Sequence, residues 1–172
     1  MLKRYIDWAE VSRLCSIIVG KISDDGVSIG CVLAVARGGV IPATIIADML
    51  SIDDLALLLI RTRHYDGDDG MSITDHVHTT FITPLKEIQG KMDECKREGK
   101  IMLIVDDIVD TGLTMKSIVE IFNDEMSVKV ATLYMKPRSM FRPDYHADTC
   151  GDDEWIIFPW EYQTTTATTS RQ

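Results

Sequence analysis

Apolar residues along the chain follow two rhythms, one unbroken and one helical. The segments 28–36 and 101–105 (Ser-Ile-Gly-Cys-Val-Leu-Ala-Val-Ala and Ile-Met-Leu-Ile-Val) are nearly continuous apolar runs, as expected of strands buried on both faces of a parallel sheet. Leu55–Ile60 and Val128–Met135 read the same way, while 76–82 alternates like the returning strand of a two-stranded flap. Helical spacing appears at Ile6, Val11, Leu14, Ile17 and Ile18, and again at Met115, Ile118, Val119, Ile121 and Phe122. A third helix is expected from Val40 to about Leu50, with Pro42 in its first turn, where a missing N–H is harmless. Lys86–Lys100 is mostly charged and reads as a solvated connector with some helix; Met140–Asp153 reads as a loop. Strands alternating with helices predict an α/β fold with a central, mainly parallel sheet flanked by helices.

The chemistry gathers where strands end. After the run 101–105 come Asp106, Asp107, Ile108, Val109, Asp110, Thr111, Gly112, Leu113 and Thr114, at the sheet edge where open α/β folds place ligands. The Thr-Gly-x-Thr turn offers backbone N–H groups, two hydroxyls and a helix N-terminus to an anion, most naturally a phosphate. Three carboxylates would repel that phosphate unless they face another part of the ligand. A sugar phosphate satisfies both demands, its hydroxyls donating to the Asp pair or a hard cation such as Mg2+ sitting there. Acidic residues near a helix N-terminus are favoured by the dipole alone, which accounts for Asp110 but not for Asp106 and Asp107. The strand 28–36 runs likewise into Arg37-Gly38-Gly39 and a helix. Parallel strands bring both loops to one edge, where glycines allow close backbone approach and Arg37 can meet a phosphate oxygen. From residues alone, a glycine turn beside a solvated arginine is an equal reading of that loop.

Composition narrows the partners. A chain of 172 residues suits one α/β domain. A net charge of −9 argues against a nucleic-acid-binding surface, which needs a basic face. No segment reaches the roughly 20 apolar residues of a membrane span, and no apolar signal core opens the sequence. Cys15, Cys31, Cys95 and Cys150 are scattered without a C-x-x-C pair, so a reducing cytoplasm is expected.

The stretch from Val105 to Thr114 resembles the phosphoribosyl pyrophosphate (PRPP) signature of the type I phosphoribosyltransferases. The likeness extends over most of the chain and is closest to the small microbial xanthine-guanine type of purine phosphoribosyltransferase. It implies a phosphoribosyltransferase domain over 1–163, with a flexible two-stranded lid at about 61–83. A small hood from the N-terminal residues and about 137–162 would complete it, and a Thr-rich tail, 164–172, would be disordered. It implies transfer of the 5-phosphoribosyl group of PRPP to a 6-oxopurine in purine salvage, with Asp110 as general base. Asp106, Asp107, Asp110, Thr111, Gly112, Leu113 and Thr114 would hold ribose and 5′-phosphate. Arg37 and Gly38 would hold pyrophosphate, through a loop with a non-proline cis peptide expected at Arg37-Gly38. Lys136 would meet the 6-oxo group, Trp155 would stack on the base, and backbone near Ile156 would read its 2-position; without the likeness, a solvated Lys136 and a core Trp155 are the plainer readings. Trp8 and Trp160 are expected to be packing residues. Mg2+ would sit on Asp107, directly or through water. The lid would exclude water from the sugar, although His64-Tyr65 stands where many members carry Ser-Tyr; His76 and His78 read as surface residues. Association into a homodimer or homotetramer is expected by the same likeness. A phosphoribosyltransferase for adenine or a pyrimidine, or a non-catalytic PRPP-binding regulator, remains the alternative.

Overall fold

A computed structural model describes residues 2–64, 77–122 and 127–161. Its elements, in chain order, are β1 (Leu2–Tyr5), α1 (Trp8–Asp24), β2 (Ile29–Ala36), α2 (Val40–Met49), β3 (Leu55–His64), β4 (Val77–Phe81), α3 (Leu85–Arg97), β5 (Ile101–Val109), α4 (Leu113–Phe122), β6 (Val128–Met135), β7 (Tyr145–Thr149) and β8 (Glu154–Ile157). The main sheet has strand order β4-β3-β2-β5-β6-β7. Every neighbouring pair in it is parallel except β3–β4. The lid contacts expected of 65–75, the role given to His76 and the Thr-rich tail lie outside the described residues.

The unbroken apolar runs are explained by cover on both faces. Along β2, Val32 and Ala34 join one cluster with Val11, Leu14 and Ile18 of α1, while Cys31, Leu33 and Val35 join another with Ile88 and Met92 of α3. β5 divides the same way, Leu103 and Val105 to the first layer and Met102 and Ile104 to the second. Successive side chains point to opposite faces, so a strand helix-covered on both sides must be apolar throughout. Asp7 caps α1 by accepting from the Glu10 N–H at 2.8 Å, which fixes where that helix begins.

Two expectations are corrected here. Lys86–Lys100 does hold helix, but it is not a solvated connector: Leu85–Arg97 is helix α3, burying Ile88, Met92 and Cys95. Those residues recur at the helical interval, and the charges between them occupy the outer face. Nor is 140–153 all loop, because Tyr145–Thr149 forms the edge strand β7, parallel to β6. An edge strand tolerates the polar composition that hid it.

A separate two-stranded sheet pairs β1 with β8, Arg4 opposite Ile156 and Lys3 opposite Trp155. It joins the N-terminal residues to the segment after β7. Phe158 and Trp160 stack there with centroids 4.7 Å apart, and Trp8, still half-exposed, tilts against Trp160 at 6.0 Å. Below them the Arg4 guanidinium lies 5.4 Å from the ring of the fully buried Tyr134.

Candidate active site

The sheet places the site by where its strands part company. β2 pairs with β5 only as far as Ala34 opposite Val105, whereas β6 follows β5 through Asp106 and on to Val109. Connections run outward from this pair, β2 to β3 on one side and β5 to β6 on the other. That is the crevice in which open α/β sheets hold ligands. Asp106 and Asp107 thus lie inside β5 but beyond its last bond to β2, facing the gap.

The glycine loop closes the other wall. A Cβ on Gly39 would run into the carbonyl oxygen of Val105 and stand 2.8 Å from that of Val35; one on Gly38 would collide with the Asp107 carboxylate. Only glycine permits this approach. The non-proline cis peptide in this loop is Ala36-Arg37, one residue earlier than expected at Arg37-Gly38.

Three cavities meet here. The first, about 330 Å³, is lined by Asp106, Asp110, Thr111, Gly112 and Thr114, with Ala36 opposite. Gly112 has φ of 84°, and a side chain there would press within 2.5 Å of the Phe141 nitrogen. The Met140 N–H donates to the Thr111 carbonyl at 2.9 Å, tying the segment after β6 to this turn. The second, about 770 Å³, lies between Arg37, Gly38, Asp107, Trp160 and Glu161. The third, about 230 Å³, is bounded by Asp107, Asp110, Lys136, Trp155 and Ile156, with Glu154, Phe158 and Glu161. Asp110 is shared by the first and third, and Asp107 by the second and third. Leu113 is not on the wall of the first; it opens α4, and its N–H lies 3.4 Å from the Thr111 hydroxyl.

Electrostatics divides the acids into two kinds. Burial holds the Asp106 carboxyl well above the usual range, and the adjacent Asp107 charge adds to this. Burial likewise pushes Asp107 up to about 6, against the hydrogen bond it accepts from the Ile108 N–H and aided by the charge of Glu161. Asp110 is instead matched by cations. Its Oδ2 lies 3.3 Å from Lys136 Nζ, and its Oδ1 accepts from Arg138 Nε at 3.0 Å and from Nη2. Lys136 is only 2% exposed, which excludes the solvated strand-end reading; Trp155 is 49% exposed and so is no core residue.

The arrangement therefore unites the sequence-expected Asp106, Asp107, Asp110, Thr111, Gly112, Thr114, Lys136, Trp155 and Ile156 around connected space, with Arg37 and Gly38 at its far end. Sequence reasoning missed Glu154, Glu161 and Arg138. The only trace of Glu161 was an acid directly after the Phe158-Pro159-Trp160 run; nothing marked Arg138 among exposed basic residues.

Comparison with known proteins agrees with this geometry. A family model described as phosphoribosyl transferase domain matches residues 2–165. A xanthine-guanine phosphoribosyltransferase of Ruegeria sp. (strain TM1040) is 28% identical over 160 residues, covering 91% of this chain and 84% of that one. One from Nitratidesulfovibrio vulgaris (strain DP4) is 28% identical over 156 residues, covering 91% and 83%. Among solved structures, a purine phosphoribosyltransferase from Pyrococcus horikoshii Ot3 superposes with a TM-score of 0.66 at 28% identity, covering 95% of this chain and 96% of that one. With a match this long laid over the acidic strand end, the Thr-Gly turn and the glycine loop, the chain belongs to the phosphoribosyltransferase family and is a pentosyltransferase of the type I fold.

Proposed function

We propose that the chain transfers the 5-phosphoribosyl group of PRPP to a 6-oxopurine (guanine, xanthine or hypoxanthine), giving the nucleoside 5′-monophosphate and pyrophosphate in purine salvage. The observation that carries the reading is the convergence of three cavities of different chemistry on the segment 106–110. The Thr-Gly turn at the N-terminus of α4 suits the 5′-phosphate. Asp106 and Asp107 suit the ribose hydroxyls as acceptors. Arg37 and the glycine loop suit pyrophosphate. Lys136 and the half-exposed Trp155 suit a flat base bearing a carbonyl oxygen. The relatives named for xanthine, guanine and purines point the same way.

In this reading the N9 nitrogen of the base attacks C1 of PRPP as the C1–O bond to pyrophosphate breaks. The imidazole proton passes to Asp110, and Lys136 donates to the 6-oxo group. Arg37 and the loop amides meet the negative charge that grows on the leaving group, an electrostatic contribution. The donor set fits Mg2+: Asp106 and Asp107 are hard oxygen ligands whose charges burial has left poorly solvated. Among the described residues no cluster of three ligating side chains stands ready to hold a metal ion. Asp107, directly or through water, and Asp106 would be the residues that hold it. When bound, Mg2+ neutralises charge on the pyrophosphate.

Cytoplasmic location is part of the proposal; among the described residues no helix is long and apolar enough to cross a membrane. So is a homodimer or homotetramer, for which the exposed Leu55 and Leu57, on one face of β3, offer apolar surface. The test is pyrophosphate release from PRPP and Mg2+ with hypoxanthine, guanine, xanthine, adenine, uracil and orotate in turn. Turnover confined to the 6-oxopurines is expected. Turnover only with adenine or a pyrimidine would discard the roles of Lys136 and Trp155, and PRPP binding without turnover of any base would leave a regulator.

A further inference from the structure

We infer that Arg138 is a positioning residue for Asp110: its guanidinium grips one carboxylate oxygen so that the other stays aimed at the base. The inference rests on the proposed function. Asp110 has its two oxygens held unequally. Oδ1 takes two N–H donors of Arg138, Nε at 3.0 Å and Nη2 closer. Among the described residues Oδ2 takes only Lys136 Nζ, at 3.3 Å, which is long for a charge-assisted bond. Lys136 lines the base cavity, and among the described residues on that wall Arg138 is absent. The loosely held oxygen is therefore the one partnered by a residue of the cavity wall, and the tightly held one is partnered from outside it.

The two cations also differ in what they can do next. Lys136 is 2% exposed, so its ammonium can leave Oδ2 only for another buried acceptor, and the carbonyl oxygen of an entering base supplies one. Once Lys136 turns, Arg138 is left to hold the carboxylate's plane. Its backbone is fixed for that task. The Arg138 N–H donates to Asp152 Oδ1 at 3.1 Å, Ser139 N–H to the Lys136 carbonyl at 3.1 Å and Met140 N–H to the Thr111 carbonyl at 2.9 Å. An exposed ion pair of this kind adds little to stability, so its consequence lies in the orientation of Asp110.

The test is a double-mutant cycle on steady-state turnover, using the base the wild-type enzyme accepts best. Arg138→Ala should lower kcat about ten-fold, in line with the sensitivity of catalysis to small misplacements. The KM for PRPP and its thermal shift should stay within about two-fold and about one degree of wild type, and Arg138→Lys should recover part of the rate. In the slowed Asp110→Asn background, Arg138→Ala should cost nothing further, because residues acting through one another are not additive. Equal losses in both backgrounds would make Arg138 a structural residue of its turn. A rise in kcat/KM for the base would show the guanidinium to be an obstruction, and an unchanged rate would show it idle; each overturns the inference. Wild-type inactivity with every base would overturn the proposed function itself, and that result needs no Arg138 variant to be seen.

Discussion

Replacing Asp107 by asparagine should stabilise the free protein while weakening its hold on PRPP. The carboxyl is pushed from an ordinary value of 3.8 to about 6, chiefly by burial and also by the charge of Glu161. A carboxyl raised in the folded state makes that state the better proton binder between those values. The contribution of Asp107 to stability is then greatest below pH 4, is lost as pH rises through 6 and is flat above about pH 7. At neutral pH the ionised group costs about 3 kcal/mol by the usual conversion, and less to the extent that crevice water relaxes it. Asparagine keeps the acceptor for the Ile108 N–H, which lies 2.8 Å from Oδ1, and removes the charge. A gain of about 2–3 kcal/mol corresponds to roughly 4–12 °C in Tm for a chain of this size. Thermal melts of both proteins from pH 4 to 8 measure it. The difference should be small at pH 4 and reach its plateau above pH 7. With PRPP and Mg2+ at pH 7.5 the order should narrow or invert, because the wild type gains more from the ligand. A difference in Tm independent of pH would refute the claim that charge, rather than shape, sets the cost at this position.

Other consequences can be checked directly. Gly39→Ala would drive a Cβ into the Val105 carbonyl oxygen, a backbone atom that cannot move aside; destabilisation by about 1–3 kcal/mol or more is expected in urea unfolding. Met92→Ala, in the buried stripe of α3, should cost about 2–5 kcal/mol in the same assay while leaving both KM values unchanged. Trp155→Ala should raise the KM for the base about ten-fold without lowering Tm, since the ring is 49% exposed and stacking on a base is worth about 1–3 kcal/mol. Asp110→Asn should slow turnover by about 10²–10⁴-fold, the range of a lost general base, while PRPP still binds; unchanged turnover would remove Asp110 from the mechanism.

What could be read from the sequence was set by how local its physical cause is. The runs 28–36 and 101–105 were legible because helices cover both faces of β2 and β5, leaving polar side chains no place. The phosphate turn was legible because amides, glycine and hydroxyls must be neighbours in sequence to surround one anion. Helix α3 was obscured by its own outer face: three buried positions, Ile88, Met92 and Cys95, carry the fold, while the residues between them set the composition. The polar edge strand β7 was hidden because one neighbour, β6, is enough to define it.

The site departs from the sequence reading in its pairings, and the reason is distance along the chain. Asp106, Asp107 and Asp110 look alike as letters, yet among the described residues two have no ion-pair partner at the strand gap and the third is matched by two cations. That difference comes from the segment after β6, which brings Lys136 and Arg138 back 26 and 28 residues to meet Asp110. The unmatched pair is the part of the site that needs an arriving cation or a set of hydroxyls. The matched carboxylate already has its charge balanced and is held in orientation before any base arrives. A fold that places uncompensated acids where a ligand brings the donors, and a compensated one where a proton must be taken, has divided binding from chemistry within one short strand end.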